Sequence, residues 1–223
     1  LLLAGVAGVV LYKLAIAPAK KADVVTLIII TIGASIFLRG LAQFFWGKQY
    51  HALPRFSATE SISLGGATLL TQSLWVLGIA VILVVALALF FNRSRLGKAI
   101  LATSMNKDAA RLAGIKTQTI LTLAFGISAL LGAVAGVIVA PITFTAYDVG
   151  IMLGLKGFVA AAIGGLGSST GAIVGGLLLG LSEAYTAGYI SSDYKDAVPF
   201  VIILAILFFL PNGLFGSRAV ERV

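Results

Sequence analysis

Residues 73–91, SLWVLGIAVILVVALALFF, run nineteen positions without one charged side chain. As an α-helix that stretch is about 28 Å long, close to the roughly 30 Å hydrocarbon core of a bilayer. It is apolar on every face, so it lacks the polar stripe of a helix lying on a soluble domain. It therefore reads as a membrane crossing. Working outward, similar apolar segments lie at 1–12, 24–46, 117–140, 151–163, 172–190 and 197–210. The composition agrees, with 60% hydrophobic and 11% charged residues and a mean hydropathy of +1.09. Soluble domains carry about 25% charged residues. Glycine is abundant at 26 of 223 residues, as in bundles whose helices approach closely through small side chains. A transmembrane barrel needs alternating ten-residue strands rather than unbroken apolar runs. The expected fold is all-α, a polytopic transmembrane bundle with about six to seven membrane segments in one domain over 1–223. There is no cysteine, which excludes disulfides and thiolate chemistry, and the single histidine, His51, makes a histidine metal site improbable.

The run from Leu1 to Tyr12 is too short to span, has no basic region before it, and reads as the remainder of a longer N-terminal region. If each segment crosses, alternate connections share a face. One face then collects Lys13, Lys20, Lys21, Arg93, Arg95, Lys98, Lys107, Arg111, Lys116, Arg218 and Arg222, eleven basic residues, against Lys48, Arg55 and Lys195 on the other. The positive-inside rule makes the first face cytoplasmic, along with the C-terminus. Trp46 and Trp75 fall at the opposite boundary, as an interfacial aromatic belt predicts. This placement accounts for the net charge of +8 without nucleic acid as a partner.

Residues 164–171, GGLGSSTG, join the segments 151–163 and 172–190 without a charge. Those segments are either two crossings or one re-entrant hairpin with a half-helix, whose backbone protein or a wet cavity must cover. Gly164, Gly165, Gly167, Gly171 and Gly175 serve either close helix packing or a gate beside a path. Gly132 with Gly136 and Gly176 with Gly180 repeat the small-xxx-small spacing. The cluster is no phosphate loop, because GxxxxGK[ST] is absent. Arg39, Lys156 and Glu183 lie inside apolar segments, and such charges either pair, snorkel or touch a translocated solute. Pro141 and Pro211 read as helix stops. The outer connection 47–72, with Pro54 and Gly65-Gly66, either contacts another protein or simply links two spans.

The connection 92–116 is the most informative. Asn106 is a natural N-cap, Asp108 suits the first turn, Ala109, Ala110, Leu112 and Ala113 form an apolar side, and Gly114 is a natural C-cap. A short helix with an apolar side at a membrane surface lies on anionic lipid or docks in a groove on a cytoplasmic partner.

The pattern Gly97-Lys98-Ala99, Asn106, Ala109-Ala110, Leu112, Gly114-Ile115 resembles the cytoplasmic loop of branched-chain amino acid ABC importer permeases. The order of Thr31-Ile32-Gly33, Trp46-Gly47, Lys156-Gly157-Phe158, Gly164-Gly165-Leu166-Gly167, Gly180-Leu181-Ser182-Glu183 and Pro211-Asn212-Gly213-Leu214-Phe215-Gly216 extends the resemblance over nearly the whole chain. It implies a permease subunit of the bacterial inner membrane that works beside a second, related permease. Two ATPase subunits and a periplasmic or lipid-anchored substrate-binding protein complete the importer. It also implies that 106–115 is the coupling helix, with Asn106, Ala109, Ala110, Leu112 and Gly114 engaging the ATPase. This chain holds no cofactor of its own, ATP and Mg belonging to the partner, and it is not an enzyme. Related permeases for urea or short amides are the alternative, with a self-sufficient secondary transporter behind them. The latter would need coupling-ion ligands within the spans, and these are nearly missing.

Overall fold

Long apolar runs without internal breakers become long helices. In the computed structural model, which describes residues 1–19, 23–57, 61–64, 67–210 and 212–216, α2 (Val24–Trp46), α3 (Thr71–Arg93) and α6 (Thr117–Thr143) have 23, 23 and 27 residues. Among the described residues, these three are long and apolar enough to cross a membrane. Shorter apolar helices are α1 (Leu2–Leu11, continued by a π-helical turn Tyr12–Ile16), α7 (Val149–Gly164) and α9 (Val198–Phe209). Between the remaining runs lie α4 (Arg95–Met105), α5 (Lys107–Leu112) and α8 (Ser169–Tyr189). The chain divides into two compact units, Leu1–Tyr147 and Asp148–Val223.

In the first unit α1 packs on α6 through glycine. A Cβ on Gly8 would stand 2.6 Å from Ala129 Cβ and 2.7 Å from the Phe125 carbonyl oxygen. Tyr12 packs against Phe125 with ring centroids 5.3 Å apart and planes tilted by 37°. The large side chains point the other way: Phe37, Phe44 and Val25 are all exposed on α2. Water would oppose such a surface, whereas acyl chains accept it, so small residues rather than large ones make the contacts.

Pro141 does not stop its helix, as the sequence suggests; α6 continues to Thr143. Gln72, 3% exposed, lies against this turn. Its amide donates to the Ile138 carbonyl at 3.0 Å and accepts from the Phe56 N–H at 3.2 Å, giving the turn perturbed by proline a partner outside the helix. Pro211 and the basic residues Lys20, Lys21, Arg218 and Arg222 lie outside the described residues. The connection 47–70 is more ordered than a plain loop. Ser61–Leu64 and Ala67–Leu70 pair antiparallel, with Ile62 opposite Leu69. His51 and Thr145 exchange backbone hydrogen bonds of 2.9 and 2.8 Å. Trp75 Nε1 donates to Ser57 Oγ at 2.8 Å.

The second unit is an antiparallel hairpin of α7 and α8 with α9 against both. Its core is Val159, Ile163 and Leu179, flanked by Ile202, Ile203 and Ile206. The segment 212–216 closes the C-terminal end of α7. Leu214 and Phe215 N–H groups donate to the carbonyls of Ile163 and Gly164 at 2.8 and 2.9 Å, satisfying acceptors that a helix end leaves open.

Candidate functional site

The connection 92–116 is two helices rather than a loop with one. Ser94 caps α4 by accepting from the Gly97 N–H at 2.9 Å. Gly97 is buried where α4 meets α3: a Cβ there would lie 2.3 Å from the Phe90 carbonyl oxygen and 2.7 Å from Phe91 Cα. Asn106 then separates α4 from α5. Its Oδ1 accepts from the N–H groups of Asp108 and Ala109 at 3.0 and 2.9 Å, an N-cap as the sequence suggests. At the other end Gly114 has φ +83°. The Gly114 N–H bonds the Arg111 carbonyl and the Ile115 N–H bonds the Ala110 carbonyl, at 2.9 and 3.0 Å. This is a Schellman closure, which needs the left-handed conformation that glycine adopts without cost. With both ends satisfied, a six-residue helix holds its shape without length.

The faces of α5 are divided. Ala110 is 4% exposed and turned into its own unit, while Leu112 is 92% exposed. Ala109 is exposed beside it. The apolar side anticipated from the sequence is thus split, with Ala110 seating the helix and Leu112 left bare. Met105, at the end of α4, is exposed at 87%. Arg111 Nε donates to Thr117 Oγ1 at 3.1 Å, tying α5 to the first residue of α6.

The glycines of the second unit mark where backbones meet. A Cβ on Gly164 would stand 1.9 Å from the Gly171 carbonyl oxygen, one on Gly171 2.2 Å from that of Gly164, and one on Gly175 2.1 Å from that of Ala160. Gly165, at φ +101°, would place a Cβ 2.4 Å from the Gly216 backbone nitrogen. A Cβ on Gly167, Gly176, Gly180, Gly132 or Gly136 would meet nothing within 4 Å among the described residues. Close packing therefore accounts for Gly164, Gly165, Gly171 and Gly175 but not for the other spaced pairs. The contacts Gly5 and Gly8 make with α6 carried no distinctive spacing in sequence.

The charges inside the segments separate in the same way. Lys156 on α7 does not snorkel. Its ammonium lies 3.1 Å from both Glu183 carboxylate oxygens on α8 and 2.8 Å from Asp196 Oδ1 in the connection to α9. Lys156 and Glu183 side chains are about four-fifths buried. One cation thus answers two carboxylates and ties three consecutive pieces of chain. The ammonium's hydrogen bond holds the Asp196 carboxyl below the usual aspartate value. Among the described residues Arg39 makes no such contact; its Nε donates to the Ser35 carbonyl at 3.4 Å on the open surface of α2. Asp23, which caps α2, is likewise held low by the Thr26 hydroxyl and N–H. Among the described residues no group of three or more His, Cys, Asp or Glu side chains is placed to hold a metal ion.

A family model described as the branched-chain amino acid transport system permease component matches residues 1–207. The high-affinity branched-chain amino acid transport system permease protein LivH of Salmonella typhimurium is 33% identical over 100% of this chain and 74% of its own length. The corresponding BraD protein of Pseudomonas aeruginosa is 33% identical over 97% of this chain and 72% of its own. A more distant relative is the autoinducer 2 import system permease protein LsrC of Yersinia enterocolitica, 28% identical over 82% of this chain and 52% of its own. No solved structure matches the chain. With membrane-length helices and a match over nearly its whole length, the chain belongs to the permease family of branched-chain amino acid transport systems.

Proposed function

We propose that the chain is one of two related permease subunits of an ATP-binding cassette importer for leucine, isoleucine or valine, with 92–116 as its coupling loop. Residues 1–223 act as one transmembrane permease domain of a bacterial inner membrane, with the coupling loop and the C-terminus cytoplasmic. The partners are the second permease, two ATPase subunits that hold ATP and Mg, and a periplasmic or lipid-anchored binding protein. The chain itself makes and breaks no covalent bond. It shapes a path and converts movement of the ATPases into alternating access.

The observation that carries this reading is α5. It is capped at both ends, seated by Ala110, joined to α6 through Arg111 and Thr117, and bare at Leu112. A push on Leu112 is transmitted to the start of a 27-residue helix instead of being absorbed by a soft loop. Gly164, Gly171 and Gly175 hold α7 to α8, and the Lys156–Glu183–Asp196 cluster fixes the far part of the same hairpin, so these groups support the path. Arg39 is left to contacts outside this chain. The test is Leu112→Glu in the assembled importer. The variant is expected to insert normally, lose most of its ATPase on purification and lose uptake of radiolabelled leucine. Retained ATPase and full uptake would end the reading.

A further inference from the structure

Beneath α5 lies a cavity of about 320 Å³ with Tyr12, Lys107, Arg111, Thr117 and Gln118 as its polar wall. We propose that it binds the phosphate of an anionic phospholipid headgroup. The lining carries two cations and no carboxylate. Lys107 has no ion-pair partner among the described residues. Arg111 spends one N–H on Thr117 and stands 3.8 Å from Asp108, whose side chain is 90% exposed, leaving most of its donor fork available. No side chain caps α6 at this end, and its first two residues, Thr117 and Gln118, line the same space, which sets the positive end of the helix dipole beside it.

A further observation points to a ligand. Tyr12 is only 5% exposed, lines this cavity, and its hydroxyl makes no hydrogen bond among the described residues. The ring is packed while the phenol oxygen opens into the cavity, so its O–H is free to donate to an acceptor there. A phosphate oxygen supplies that acceptor and answers both cations with charge-assisted bonds.

The depth selects a lipid over a soluble anion. Leu27, in the first turn of α2, and Leu121, in the second turn of α6, form part of the apolar wall. Both sit at the ends of membrane-length helices, where headgroups lie, and on the face that carries the excess of basic residues. Anionic lipids concentrate on that face. The apolar wall receives the glycerol root while the polar wall holds the phosphate.

The test is native mass spectrometry of the purified complex in mild detergent. It is offered phosphatidylglycerol, phosphatidylcholine and inorganic phosphate at equal concentration. One phosphatidylglycerol per chain is expected to survive, about tenfold more than phosphatidylcholine. Lys107→Gln and Arg111→Gln each lower its retention about fivefold, and Tyr12→Phe about threefold. Lys98→Gln, a basic residue of α4 outside the cavity, leaves it unchanged. Lys107 is exposed, so Lys107→Gln tests the site even if Arg111→Gln loosens α5. Equal retention of the two lipids, or an equal effect of Lys98→Gln, overturns the site. Displacement of phosphatidylglycerol by equimolar inorganic phosphate overturns the lipid assignment in favour of a soluble anion.

Discussion

Gly175 and Gly176 are neighbours on α8, yet adding one methyl group to each has opposite expected effects. At Gly175 the new carbon would lie 2.1 Å from the Ala160 carbonyl oxygen, 3.0 Å from the Gly164 nitrogen and 3.1 Å from the Ala160 carbonyl carbon. Ordinary contact begins near 3.4 Å, so the helices must part by about 1.3 Å. A gap of 0.5–1 Å already forfeits a quarter to a half of each dispersion well along the contact. Overpacking of this kind costs about 1–3 kcal/mol, and the neighbours are rigid backbone, so the upper half of that range applies. At Gly176 nothing lies within 4 Å. There alanine gains roughly 0.5–1 kcal/mol of helix propensity and loses nothing within the chain. The two variants therefore differ by about 3 kcal/mol, somewhat over a hundredfold in an opening equilibrium. Hydrogen–deuterium exchange of peptides covering α7 and α8, on the chain purified alone, reads this directly. Gly175→Ala is expected to exchange much faster and Gly176→Ala as slowly as the parent or more slowly. Equal exchange in the two variants would refute the packing that the glycine geometry describes.

The ion cluster gives a second expectation. Lys156→Met leaves Glu183 and Asp196 without their cation and lowers stability by about 2–3 kcal/mol; Lys156→Met with Glu183→Gln recovers part of it, which a double-mutant cycle of thermal midpoints measures. Asp196 has a folded pKa below the unfolded value of about 3.9, so the native state binds fewer protons there. Its contribution is complete above that value and disappears as pH falls through the folded one. The midpoint difference between the parent and Asp196→Asn is expected to stay constant from pH 7 to about 5 and to close below about 4. Asn106→Ala removes the cap of α5 at about 1 kcal/mol and speeds proteolysis of 106–115, while Asn106→Asp preserves it. Gly97→Ala pushes α4 off the end of α3 and costs about 2 kcal/mol, whereas Ala99→Gly, two residues on in the same helix, costs about 1 kcal/mol of helix propensity.

What a sequence announces and what it hides follow from the range of the interaction responsible. The crossings α2, α3 and α6 were legible because hydropathy is a property of consecutive residues. The ends of α5 were legible because capping acts over three to five residues, from Asn106 to Ala109 and from Ala110 to Ile115. Helix α4 was missed, since Arg95 and Lys98 mask its apolar positions, although Ser94 with its bond to Gly97 was a cap signal of the same kind. Pro141 misled because a proline's local cost is real, yet the helix runs on to Thr143, and the nearest contact to that turn, Gln72 to the Ile138 carbonyl 66 residues away, is invisible to local reading. The Lys156 cluster joins residues 27 and 40 positions apart, and nothing local to Lys156 separates an ion pair from a snorkelling chain. Glycine is the instructive intermediate case. Its spacing proposed close packing at many pairs, but the partner helix decides which are used: Gly171 and Gly175 meet α7, while Gly132, Gly136, Gly176 and Gly180 meet nothing among the described residues. In a bilayer, where acyl chains are as apolar as leucine, a bare row of small residues is the form that a helix–helix contact takes before its partner arrives. The proposed second permease, similar in kind, is the partner whose helices such rows fit.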